Sequence, residues 1–129
     1  MIEMGPEVGK LTGFVLENLK VEDSGTGHII LTQEILDRFK LTDENTHKIV
    51  PLPGQIRGVL NWGIFVQQVD GKYRARLRSK GPIINEIAKE HGGGGHPLAS
   101  GANAKDEAEI KEIVAKFEKA AIAFKEQNN

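Results

Sequence analysis

A single α/β domain, a mixed β-sheet with helices packed on it, is the fold this sequence predicts. Three observations predict it. Two extended runs, Ile56 to Val69 and Lys72 to Ser79, flank Asp70-Gly71, a turn pair typical of hairpins. A long amphipathic stretch follows Asp106 and continues to about Gln127. The chain has 129 residues, enough for one domain with a real core and too few for two.

Taken in order, Leu11, Phe14, Val15 and Leu19 recur at helical spacing, so 6–19 read as a first helix, weakened by Gly9 and Gly13. Gly25-Thr26-Gly27 breaks the chain before a short strand, His28 to Leu31. Thr32 is placed to cap a helix from Gln33 to Phe39. Thr42 is placed to cap another, Asp43 to Val50, with acids in its first turn and Pro51 and Pro53 to stop it. Ile56 to Val69 is apolar enough to be buried on much of both faces. In the return strand Arg74, Arg76 and Arg78 alternate with Tyr73, Ala75 and Leu77, and the period of two puts the three guanidinium groups on one face. Pro82 suits the first position of a helix carrying Ile83, Ile84, Ile87 and Ala88, ended by His91 and Gly92. A strand near Leu98 to Ala104 precedes the last helix, whose buried stripe is Ile110, Ile113, Val114, Phe117, Ala121 and Phe124.

Composition narrows the function classes. Hydrophobic residues make up 39% and charged residues 27%, ordinary values for a globular protein. A net charge of -1 argues against a domain-wide basic field for unspecific DNA binding. No apolar run approaches the roughly 20 residues of a membrane helix. Met1 to Pro6 lacks the features of a signal peptide, and no cysteine is present for a disulfide or thiolate site. A cytoplasmic location is the expectation. Charge is concentrated locally, because Lys72, Arg74, Arg76, Arg78 and Lys80 occupy one segment with no acid among them.

Arg78-Ser79-Lys80-Gly81-Pro82 and Gly92-Gly93-Gly94-Gly95-His96-Pro97 hold the densest chemistry. If a helix starts at Pro82, free backbone N–H groups of Ile83 and Ile84 and the positive helix end favour an anion there. Ser79 can donate its hydroxyl, and Arg78 can fork onto phosphate oxygens. Alternating charge alone better suits a solvated strand face. Four successive glycines shift the balance, since they are entropically costly and imply that a ligand or another backbone comes too close for side chains. They follow a helix end rather than lead into a helix start, which excludes a P-loop or a dinucleotide fingerprint. A curved glycine turn could instead form an anion nest. His96, pinned by Pro97, can donate to phosphate in either tautomer. His28, His47 and His91 lack such company and read as structural or surface. His91 and His96 make a poor metal site without a nearby acid or cysteine.

These residues resemble the C-terminal, DHH-associated domain (type 1) of the DHH phosphoesterases. The signature is Arg78-Ser79-Lys80-Gly81 with Gly93-Gly94-Gly95-His96. The continuation Pro97-Leu98-Ala99-Ser100-Gly101-Ala102 is most similar to the nanoRNase/pAp-phosphatase branch, the bifunctional oligoribonucleases. Leu52 to Val59 and the Trp62 to Val66 strand extend the likeness, which covers about 10–126 of a domain spanning 1–129. The resemblance implies a division of labour. A separate catalytic DHH domain, absent from this chain, would hold two manganese ions through Asp and His ligands including an Asp-His-His triplet, and no such triplet occurs here. No catalytic or metal-binding residue is therefore expected in this chain, and the parent would be a hydrolase.

By resemblance Arg78, Ser79, Gly93, Gly94, Gly95 and His96 contact substrate phosphate or nucleotide. Arg76 and Lys80 join them on charge and facing. The expected partners are short RNA oligonucleotides or pAp (3′-phosphoadenosine 5′-phosphate) and the catalytic domain, with no membrane. A nucleic-acid-binding module is the main alternative, countered by few aromatic residues and by Trp62 and Tyr73 being expected in the core. The substrate half of a cyclic-dinucleotide phosphodiesterase is another alternative, against which the Pro97 to Gly101 continuation weighs. A self-sufficient enzyme ranks last, because no nucleophile-base pair or carboxylate pair is evident.

Overall fold

In a computed structural model, residues 3–128 are described and form one six-stranded mixed sheet flanked by four α-helices. The helices are α1 (Pro6–Asn18), α2 (Gln33–Arg38), α3 (Asn85–Glu90) and α4 (Glu107–Gln127). The strands are β1 (Lys20–Val21), β2 (Thr26–Leu31), β3 (Asn61–Gln67), β4 (Tyr73–Ser79), β5 (Gly94–His96) and β6 (Ala99–Ala104), ordered β1-β2-β3-β4-β6-β5. Only β2 and β3 run parallel, joined by the long excursion through α2 and two 3-10 helices; the other pairs are antiparallel.

Each sheet face has its own core. On one, Leu11 and Val15 of α1, Leu36 of α2, and Ile49 and Val50 pack on Ile29, Leu31, Trp62, Ile64 and Val66. On the other, Ile84 and Ala88 near α3 and Ile110, Ile113 and Phe117 of α4 pack on Phe65, Ala75, Leu77 and Ala102. A buried polar chain ties the layers together: Thr26 Oγ1 donates to Asn61 Oδ1 at 2.7 Å, and Asn61 Nδ2 donates to the Phe117 carbonyl at 3.1 Å.

The predicted α/β domain is the observed one. Thr32 caps α2 by accepting from the Ile35 N–H, and Asp106 caps α4 by accepting from the Glu109 N–H. Several element boundaries differ. Gly25, at φ +99°, turns the chain so that β2 already starts at Thr26; Thr26 and Gly27 pair with β3, and Gly27 and His28 with the two-residue β1. Asp43–Ile49 is a 3-10 helix behind a Thr42–Asn45 capping box, and a second 3-10 helix, Leu52–Gln55, occupies the proline-rich stop. The apolar run forms a strand only from Asn61, since Ile56 and Val59 close a turn. Pro82 does not open α3. The Ile84 N–H is held by the Pro97 carbonyl, so 82–84 form a tie to the next hairpin and the helix begins at Asn85.

Candidate phosphate site on the open half of the sheet

The α1 layer covers β2 and β3 but leaves the same face of β4, β6 and β5 open. Period-two alternation and strand register decide what is displayed there. Arg78 lies opposite Trp62, Arg76 opposite Ile64 and Arg74 opposite Val66, so all three arginines share the α1 face, as their spacing predicts. Across the next strand Arg78 pairs with Ala99 and Arg76 with Gly101. Across the last, Ala99 pairs with His96 and Gly101 with Gly94. Two transverse rows result, Arg78–Ala99–His96 and Arg76–Gly101–Gly94. With strands about 4.8 Å apart, the arginine strand stands about 9.6 Å from the histidine strand. Between them lies an open trough of about 370 Å³, lined by Arg74, Arg76, Arg78, Gly94, His96, Ala99 and Gly101.

The arginines are not equivalent. Asp43 Oδ1 accepts from Arg76 Nη2 at 2.8 Å, and Thr46 Oγ1 accepts from its Nε at 3.4 Å, leaving the Arg76 side chain only 14% exposed. Arg74 leans on the same carboxylate at 3.5 Å but is 56% exposed. Arg78 has no carboxylate partner among the described residues. Its Nη1 donates to the backbone carbonyls of Leu77 at 2.8 Å and Ser100 at 3.4 Å, which steadies the guanidinium without neutralising it. Burial, and then Arg76 alongside, lowers the Arg78 pKa. A bound anion would offset both by favouring the charged form.

The other expected contacts fall in different places. Ser79 alternates to the opposite face from Arg78, where its hydroxyl donates to the Pro82 carbonyl at 2.6 Å and accepts from the Gly81 N–H. That hydroxyl braces the turn after β4 and is not presented to the trough. Lys80 reaches away, its Nζ donating to the Gly54 carbonyl at 2.8 Å. With α3 starting at Asn85 and the Ile84 N–H occupied, the expected helix-start anion site at Pro82 does not form.

The glycines do not curl into a nest either. Gly94 and Gly95 enter β5, the edge strand, and Gly93 docks it. A Cβ on Gly93 would lie 1.9 Å from the Gly101 carbonyl oxygen, and one on Gly95 would lie 2.8 Å from that of Ala99. The close neighbour that excludes side chains is therefore strand β6. Gly92, Gly94 and Gly95 also have φ between +74° and +155°, values that L side chains resist. This tight pairing delivers His96 to the trough, exposed, with its ring making no hydrogen bond among the described residues.

Two groups of residues escaped the sequence reading. Asp43 was legible only as a helix-start residue and Thr46 not at all, yet they hold Arg76 and leave Arg78 without a carboxylate. His91 does have acids nearby, contrary to expectation: its Nδ1 meets Glu109 Oε2 at 2.7 Å and Glu112 Oε2 at 3.9 Å. Lys116 Nζ lies 2.9 Å from Nε2. Lysine only donates, so Nε2 accepts and Nδ1–H donates to Glu109. The His91–Glu109 spacing, 18 residues, carries no motif that would announce the pairing. A hollow of about 630 Å³ beside this cluster is larger than the trough, but its lining balances Asp70, Glu90 and Glu109 against Lys72, Arg74 and Lys105 and so offers an anion no net positive charge.

Comparison with known proteins places the fold in a family. The DHHA1 domain family matches residues 20–123. The "Probable bifunctional oligoribonuclease and PAP phosphatase NrnA" of Streptococcus mutans is 54% identical over 107 residues, covering 83% of this chain and 34% of the relative. The "Bifunctional oligoribonuclease and PAP phosphatase NrnA" of Bacillus subtilis is 38% identical over 111 residues, covering 86% and 35%. An exopolyphosphatase-related protein from Bacteroides fragilis superposes with a TM-score of 0.80 at 27% identity, covering 92% of this chain and 37% of that one. The fold also matches a pGpG-specific phosphodiesterase of Vibrio cholerae, with a TM-score of 0.65 at 14% identity over 92% of this chain and 40% of the other. The chain thus spans about a third of the length of these curated relatives. With the arginine strand, the glycine edge strand and His96 all inside the matched span, the chain belongs to the DHHA1 domain family.

Proposed function

We propose that this chain is the substrate-recognition domain of a DHH phosphoesterase that acts on short oligoribonucleotides and pAp. Arg78 and His96 grip a phosphate across the trough. The observation that carries the reading is their shared transverse row, in which Arg78, the one of the three aligned arginines unmatched by a carboxylate among the described residues, faces a histidine with a free ring. The names of the relatives supply the substrate class. Arg78 offers paired N–H groups to two oxygens, and His96 offers one N–H when neutral and two when charged. Holding the phosphate from both sides fixes its orientation, which is what a recognition domain adds to a hydrolytic rate.

The cleaving chemistry belongs to a partner domain with manganese bound, a cytoplasmic enzyme in this reading. This chain's own residues do not fit that metal centre. Among the described residues, the one group near enough to share an ion is His91, Glu109 and Glu112. Its histidine already uses both ring nitrogens, and it lies by α4, away from the trough. A long-strand binder is disfavoured by burial of Trp62, whose Nε1 donates to the Val50 carbonyl, and of Tyr73, which leaves neither ring free for stacking.

Calorimetric titration of the chain with pAp, a diribonucleotide and a longer strand tests the proposal. Weak binding of the two short ligands, abolished by Arg78→Ala and by His96→Ala, is expected. Tighter binding of the long strand with a steep salt dependence would overturn it in favour of a nucleic-acid-binding module.

A further inference from the structure

The trough floor contains a glycine that the protein's own packing does not require. Gly93 and Gly95 are forced by the backbone of β6, and Gly25, Gly58, Gly71, Gly92 and Gly94 by positive φ. Gly101 is neither. It sits within β6 with an ordinary φ, and a Cβ built there would meet only the Ala75 carbonyl oxygen at 3.6 Å, an ordinary contact. Glycine inside a strand loses backbone entropy and offers no side chain to pack, and such a position often marks close approach by a ligand. Register puts Gly101 between Arg76 and Gly94, exposed, one row along from Arg78, Ala99 and His96. Ala99 lies under the proposed phosphate row; two residues on, about 7 Å along the strand, the floor drops to glycine.

We propose that Gly101 keeps the floor clear for the nucleoside part of a phosphorylated ligand, whose sugar or base lies flat on the β6 backbone while its phosphate is held between Arg78 and His96. The inference rests on the reading of the trough as a phosphate site. Gly101 is then a specificity residue: it admits a nucleotide where a side chain would admit only a small anion.

The experiment compares wild type with Gly101→Ala, Gly101→Val, Arg78→Ala and His96→Ala. It measures thermal midpoints and calorimetric binding of pAp and of inorganic pyrophosphate. Gly101→Ala should keep or raise the midpoint. Gly101→Val should weaken pAp about tenfold or more, an overpacking effect, while pyrophosphate affinity changes by less than about twofold. If Gly101→Val binds pAp like wild type while the Arg78 and His96 variants lose both ligands, the floor inference falls and the phosphate site stands. If the Arg78 and His96 variants bind both ligands normally, or wild type binds neither, the phosphate reading falls and the inference with it. A large drop in midpoint for Gly101→Ala would make the glycine a structural need and also overturn the inference.

Discussion

Arg76 and Asp43 lie 33 residues apart in sequence and meet at 2.8 Å at the edge of the trough, both mostly shielded from solvent. This pairing gives one of three aligned guanidinium groups a counter-charge and leaves Arg78 as the one of the three without a carboxylate partner among the described residues. Asp43→Asn tests it. Arg76 would keep part of its burial without a counter-charge, so stability should fall by about 1.5–3 kcal/mol in urea unfolding, the range for hydrogen bonds to charged groups. The freed guanidinium should also make pAp binding tighter at low ionic strength and more sensitive to salt.

Ser79→Ala separates a structural hydroxyl from a ligand contact. Its Oγ donates to the Pro82 carbonyl and accepts from the Gly81 N–H, on the face away from Arg78. Removing it leaves a shielded carbonyl and N–H without that partner, a cost of about 1–3 kcal/mol in chemical denaturation. Titration of the folded variant should return wild-type pAp affinity; a loss matching that of Arg78→Ala would show that the turn rearranges to reach the ligand.

Gly93→Ala should undo the edge strand. A methyl group would lie 1.9 Å from the Gly101 carbonyl oxygen, and a backbone atom cannot yield as a flexible side chain can. Overpacking of this kind costs about 1–3 kcal/mol. Hydrogen exchange should speed up at β5 and the facing β6 amides while β2 and β3 stay protected. His96 would lose its fixed position and pAp binding would weaken.

Two groups should shape the dependence of stability on pH, in different windows. The hydrogen bond from His91, followed by the Lys105 N–H, holds the Glu109 pKa below the usual carboxylate value. Its stabilising contribution is present above the unfolded value near 4.3 and is lost as pH falls through the lower folded value. Burial, then Lys20, lowers the His28 pKa, and its Nδ1 has no hydrogen-bond partner among the described residues. Protonation of the unfolded chain therefore costs stability as pH drops below about 6.5. Melting curves should show Glu109→Gln flattening the limb below about pH 4.3 and His28→Gln flattening the one below about pH 6.5.

How far the sequence could be read depended on the range of the interaction. The alternation through Arg74, Arg76 and Arg78, the Thr32 and Asp106 caps and the Asp70-Gly71 turn are set within a few residues, and each is found where the local pattern puts it. Errors came where a distant group overrides a local preference. Pro82 has the right ring for a helix start, but the Pro97 carbonyl takes the Ile84 N–H first. The apolar run from Ile56 looks extended, but Gly25 accepts the Leu60 N–H and the paired strand starts only at Asn61. The glycines were legible as a close approach, yet whether a ligand or a strand does the approaching depends on where β6 lies.

By itself the sequence determined that this chain is one α/β domain with an arginine face, a glycine-histidine segment and a family signature around them, because periodicity, capping and turn chemistry act over short separations. Only the tertiary structure decided which of those charges is free. Asp43 reaches Arg76 across the α1 face, Ser79 turns to the other side, and sheet order carries His96 across β6 into the row of Arg78. Such pairings join residues distant along the chain, and strand register alone sets which of them share a face.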